Sequence, residues 1–306
     1  MPGPISGLIP APHTPFHPDG SLNLDAVALQ AELFRECGLP GVFACGSTGE
    51  WPMLTLDERR RTAERWREVG GDSLKVVIHV GGYCQADSIA LARHAREIGV
   101  AAVSSVAPGY HKPTTIEELI EFWVPVAAAA APVPFYIYDI PAMTGVSVPM
   151  SEVIRNAKPR MPNLVGLKFT NTDFVELQEL IQLDGGAYDV LLGYDECYLG
   201  GLALGITGSV GSTYNFSTPV YRRVEAAFAK GDFDTARRAQ KLAIDMLKTL
   251  KEFGLPAAQK AVMAMLGVDC GPSRLPLRNL PLEERVRLWE RLSSMDVFPR
   301  PLRKPE

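Results

Sequence analysis

Short runs of β-branched and aliphatic residues alternate along the chain with longer stretches in which apolar residues return every three or four positions. Such alternation is the signature of a parallel sheet wrapped by helices: strands buried on both faces read as continuous apolar runs, and each helix needs only one apolar stripe. The pattern predicts strands over 5–11, 41–45, 74–80, 101–106, 134–138, 164–169, 190–192 and 206–210. Helical patterns at 24–37, 56–69, 85–98 and 116–130 follow the first four strands, and Gly38 closes the first helix. Each later strand is also followed by a helical pattern, the last near 219–229. Eight strand-helix units without a Ser/Gly-rich linker predict a closed α/β fold, the (β/α)8 TIM barrel, rather than an open doubly wound sheet.

Beyond the eighth unit, helical periodicity continues over 232–252, 255–266 and 282–295, punctuated by Gly254, Gly267 and the Gly271-Pro272 pair. The expected organisation is a barrel over 1–230 and a C-terminal helical extension over 231–306, packed on the barrel as one structural unit. The proline-rich, basic tail from Phe298 reads as a poorly ordered end.

Composition narrows the class. With 306 residues, 46% hydrophobic and 22% charged, the chain can bury a large core, which excludes a disordered, collagen-like or disulfide-stapled protein. Its net charge is −4, from 31 basic and 35 acidic residues spread without long runs, so nucleic acid and anionic membrane are poor partners and a small molecule is the better one. Cys37, Cys45, Cys84, Cys197 and Cys270 are widely spaced and form no C-x-x-C pair, which predicts reduced, mostly buried thiols rather than disulfides or a zinc site. The opening MPGPISGLIPAPHTPF lacks a basic patch followed by an apolar stretch, and no apolar run reaches the ~18 residues of a membrane span, so a soluble cytoplasmic protein is expected.

In such a barrel the chemistry belongs at the carboxyl ends of the strands. After strand two, Gly46-Ser47-Thr48-Gly49-Glu50 offers hydroxyls and free backbone N–H groups suited to a carboxylate or phosphate, or else is simply a tight turn. Strand five ends at Tyr138, which places a phenol at the barrel mouth. Strand six carries Lys168 in Leu164-Val165-Gly166-Leu167-Lys168-Phe169-Thr170, and an amine at the end of an apolar strand is either a desolvated nucleophile able to form a Schiff base or a snorkelling surface group. Strand seven gives Gly193-Tyr194-Asp195-Glu196 and strand eight leads into Gly211-Ser212-Thr213, a set suited to a polyhydroxylated ligand. Histidines do not support a metal: Pro15 breaks the helical face that His13 and His17 would need, and His79, His94 and His111 are scattered into structural or surface roles.

In this order, these motifs, together with Thr14-Pro15-Phe16 and the Gly271-to-Leu277 segment, resemble the pyruvate-dependent Schiff-base aldolase superfamily typified by dihydrodipicolinate synthase and N-acetylneuraminate lyase. Tyr138-Asp139-Ile140-Pro141-Ala142-Met143-Thr144-Gly145 is similar to the lyase branch, and Met143 stands where the synthases usually carry a carboxylate-clamping arginine. The resemblance implies a class I aldolase acting on a 2-keto sugar acid and pyruvate, with no metal or nucleotide cofactor, in a homo-oligomer and usually a tetramer. It also implies roles: Lys168 as the imine-forming amine, Tyr138 as proton shuttle beside Thr170, and Ser47 and Thr48 on the carboxylate. Gly193, Asp195, Glu196, Gly211 and Ser212 would hold the hydroxylated tail, and Tyr110 would reach a neighbouring subunit's site. Departures at Trp51-Pro52-Met53 and in Ala107-Pro108-Gly109-Tyr110 imply a different pocket wall. The alternatives are a synthase, a 2-keto-3-deoxy-sugar-acid aldolase or dehydratase, and a non-catalytic keto-acid-binding barrel, against which Lys168 and Tyr138 together speak.

Overall fold

A computed structural model describes residues 5–306. The first four residues, part of the predicted 1–230 span and of the opening stretch read for a leader, lie outside the described residues. Eight strands form one parallel sheet: β1 (Gly7–Pro10), β2 (Gly41–Ala44), β3 (Lys75–His79), β4 (Ala102–Val106), β5 (Phe135–Asp139), β6 (Leu164–Phe169), β7 (Asp189–Leu192) and β8 (Gly208–Gly211). Their order is β1-β8-β7-β6-β5-β4-β3-β2, and β1 also touches β2, which closes the ring. Inside it, Ile9, Phe43, Val77, Ala102, Leu191 and Val210 pack into a core separate from the larger one between strands and helices.

The helices that follow the strands are α1 (Asp25–Glu36), α2 (Leu56–Gly70), α3 (Gln85–Glu97), α4 (Ile116–Ala130), the short α5 (Pro141–Thr144) with α6 (Met150–Ala157), α7 (Phe174–Gln182), α8 (Tyr198–Leu204) and α9 (Thr218–Ala229). Two of them start at capping boxes: Thr55 and Glu58 open α2, and Thr115 and Glu118 open α4. Strand β8 begins two residues later than its apolar run suggests, because Gly205 takes φ 101° after α8 and the Ile206 N–H donates to Gly201 O at 3.1 Å. Ile206 therefore finishes a helix rather than starting a strand.

In the extension, α10 (Phe233–Glu252) lies along α8 and α9, while α11 (Leu255–Met265) and α12 (Leu282–Leu292) pack on α10. The tail departs from its expected disorder: the Trp289 indole donates to Leu302 O at 3.0 Å, the Arg303 N–H donates to Met265 O at 2.9 Å, and Leu302 is buried. All five cysteines are free thiols, but Cys84 is exposed and only Cys45 and Cys270 are fully buried. No helix among the described residues is long and apolar enough to cross a membrane.

Candidate active site

Tyr138 on β5 and Lys168 on β6 are paired in register, so both side chains enter the barrel at one level. Lys168 is 5% exposed, and its Nζ lies 4.2 Å from the Tyr138 ring centre and 4.5 Å from that of Phe43. The Lys168 nitrogen thus sits against two aromatic faces. From the other side the loop after β2 brings Ser47, whose Oγ is 3.3 Å from Tyr138 Oη. Thr48 follows, half-buried.

That loop is strained. Cys45 and Glu50 both have φ 58°, a left-handed conformation uncommon outside glycine. Two buried side chains hold it. At one end His79 Nδ1 is 3.1 Å from Cys45 O, which can only accept, and 3.4 Å from an Arg59 guanidinium nitrogen, which can only donate, so the ring ties the loop to Arg59. Burial, with the Arg59 and Lys168 charges beside it, drives His79 well below the ordinary histidine range, so the imidazole is neutral. Its ring meets the Tyr138 ring edge-on at 5.8 Å, with Trp51 at 5.5 Å behind it. At the other end the Glu50 carboxylate forms a buried ion pair with Lys260 of α11 at 2.7 Å and accepts from the Arg274 N–H at 2.9 Å. Neither His79 nor Lys260 stood out in the sequence, because each reveals its part only through a backbone or side-chain group distant along the chain.

On the far side of Lys168, Thr170 Oγ1 is buried and meets no hydrogen-bond partner among the described residues. Gly193 lies against it so closely that a Cβ there would collide with Oγ1. Gly211 is required in the same way by Asp195, whose Oδ1 occupies the space a Cβ would take. The other carboxylate oxygen of Asp195 accepts from the Thr213 N–H at 2.8 Å and from its hydroxyl at 2.6 Å. Burial pushes Asp195 up to about 6, against those hydrogen bonds and the Lys168 charge. Ser212 accepts from the Gln259 amide at 2.8 Å.

Not every candidate joins this cluster. Glu196 pairs with Lys251 of α10 at 2.9 Å. Tyr110 is 79% exposed, and its ring contact is with neighbouring His111 at 4.9 Å.

Fold and geometry together give a (β/α)8 barrel in which the Lys168 amine, the Tyr138 phenol and the loop after β2 meet. The chain belongs to the dihydrodipicolinate synthetase family, whose model matches residues 4–295. It is 39% identical over 300 residues to the N-acetylneuraminate lyase of Gallus gallus, a match spanning 96% of this chain and 97% of that protein. The human N-acetylneuraminate lyase is 36% identical over 299 residues, covering 96% and 93% of the two chains. Among solved structures, Proteus mirabilis N-acetylneuraminate lyase superposes with a TM-score of 0.94 at 35% identity, over 97% of this chain and 100% of that one.

Proposed function

We propose that this protein is a class I aldolase that reversibly cleaves N-acetylneuraminate to N-acetylmannosamine and pyruvate. The observation that carries this reading is the placement of the Lys168 amine 4.2 Å from the Tyr138 ring, with Ser47 3.3 Å from the phenol oxygen. Family membership and the lyases matched along nearly their full length favour the same substrate.

Lys168 Nζ attacks the C2 ketone of the open-chain sugar acid, and loss of water from the carbinolamine leaves a protonated imine. Ser47, Thr48 and their backbone N–H groups hold the adjacent carboxylate. Tyr138 takes the C4 hydroxyl proton as the C3–C4 bond breaks, and the bonding electrons flow into the imine to give an enamine and the sugar aldehyde. Protonation of the enamine at C3 and addition of water then release pyruvate and restore the amine. Ser47, open to solvent, is the group through which the phenol exchanges its proton. Gly193, Asp195, Gly211 and Ser212 serve the hydroxylated tail, which Glu196 would join only by leaving its pair with Lys251. Met143 offers no guanidinium for a second carboxylate, which disfavours the synthase reaction. Imine chemistry of this kind runs on the lysine, with no metal or nucleotide cofactor.

The working form is a homo-oligomer, a tetramer on the resemblance. Met143, 70% exposed, and Tyr110, 79% exposed, flank the point where Gly109 packs on the Thr144 backbone, and these are the apolar side chains that a second copy would cover. Light scattering will give a mass above the 33.4 kDa of one chain. The five free cysteines suit a reducing cytoplasm.

Borohydride reduction in the presence of pyruvate tests the chemistry: peptide mapping will find the adduct on Lys168, and an unmodified Lys168 overturns the mechanism. Pyruvate release from N-acetylneuraminate, lost in Lys168→Ala, tests the substrate.

A further inference from the structure

We infer that Gln259, from the C-terminal extension, is a positioning residue that fixes the direction of the Ser212 hydroxyl and thereby selects a sugar hydroxyl at the tail end of the pocket. The inference rests on the aldolase reading above. Gln259 is 3% exposed, and its amide donates to Ser212 Oγ at 2.8 Å. A serine hydroxyl carries one proton, so an oxygen that already accepts from an amide has its O–H left to donate elsewhere. Ser212 is half-buried and follows Gly211, against which Asp195 Oδ1 rests. A donor therefore sits one residue from the glycine that a carboxylate oxygen rests on, and a ligand group able to meet both is one that accepts and donates at once: an alcohol.

The segments that carry Gln259 and Asp195 are each anchored by the extension. The next residue, Lys260, directs its ammonium at Glu50 at 2.7 Å, Thr14 O at 3.0 Å and Pro272 O at 2.8 Å, which uses all three of its protons and anchors α11. From α10, Gln240 donates to Asp195 O at 3.1 Å and accepts from the Leu199 N–H at 3.0 Å, so a second glutamine of the extension fixes the turn that carries the carboxylate. The extension thus braces the polar residues that the barrel sets beside the amine and the phenol.

Two variants separate direction from mere packing. In Gln259→Glu the new carboxylate accepts from Ser212 and turns its proton away from the ligand; in Gln259→Leu the hydroxyl is free to turn either way. With N-acetylneuraminate as substrate, KM rises roughly tenfold in Gln259→Glu, as expected for one lost hydrogen bond, and by less in Gln259→Leu. In both, kcat changes far less than KM, and borohydride trapping of pyruvate on Lys168 is as in the parent protein. Unchanged KM in both variants, a rise in Gln259→Leu at least as large as in Gln259→Glu, or a parallel fall in pyruvate trapping overturns the inference. Failure of the aldolase reading would show instead in the unaltered protein, as absence of cleavage.

Discussion

Lys168 was legible as a reactive amine because only a functional or snorkelling role places lysine at the end of an apolar strand, and its 5% exposure removes the second. Tyr138 was legible as a phenol at the mouth, and strand pairing brings it to the amine. Its role predicts that Tyr138→Phe loses about 10²- to 10⁴-fold in turnover, the usual range for a removed acid–base group, while pyruvate still traps on Lys168. His79 was not legible: its neutral state and its hold on Cys45 O come from burial and an acceptor at the end of the neighbouring strand. Asp139, next to Tyr138, gives a pH prediction. Burial pushes its carboxyl up to about 7, despite a hydrogen bond from Asn171 at 3.3 Å, whereas in the unfolded chain it titrates near 4. Between those values the folded state keeps a proton that the unfolded state gives up, so this group stabilises the fold at low pH and that contribution is lost as pH rises through about 7. Asp139→Asn removes the loss, and calorimetry will show its Tm gaining on the parent protein between pH 5 and pH 8. An equal Tm difference at both pH values would contradict this.

Elements were legible where the periodicity was long and blurred where a turn borrowed an apolar residue. Helix α4 runs over Ile116–Ala130, the span its pattern predicts, whereas β8 lost Ile206 to the end of α8, since an apolar residue after a left-handed glycine reads identically in either role. The loop after β2 was legible as a turn of hydroxyls and N–H groups, yet the sequence does not show what keeps its left-handed Glu50 in place. That is the pair with Lys260, buried on both sides. Removing one partner of such a pair strands the other charge and costs about 3–5 kcal/mol, more than the pair itself contributes. Lys260→Met will therefore unfold at markedly lower urea, and the double variant with Glu50→Gln will recover part of the loss. A double variant no more stable than Lys260→Met would show that the loop, not the stranded charge, sets the cost.

At the scale of the whole molecule, the open question is whether the 231–306 extension is an appendage or part of one cooperative structure. Its ties favour the second. Lys260 completes Glu50 on the loop after β2, Arg274 donates to Glu58 at 2.8 Å at the start of α2, Gln240 fixes the turn after β7, and Trp289 and Met265 tether the chain's own end. The extension thus satisfies buried groups at both ends of the barrel sequence, and deleting it would leave a buried carboxylate without its cation and the apolar face of α9 in water. The full chain will accordingly unfold in a single transition, with far- and near-ultraviolet circular dichroism coinciding. A chain ending at Lys230 will show no sharp transition and will trap no pyruvate. A truncated chain that melted cooperatively would make the extension a separate layer, and the bracing of the polar residues would then depend on docking between two bodies rather than on one core.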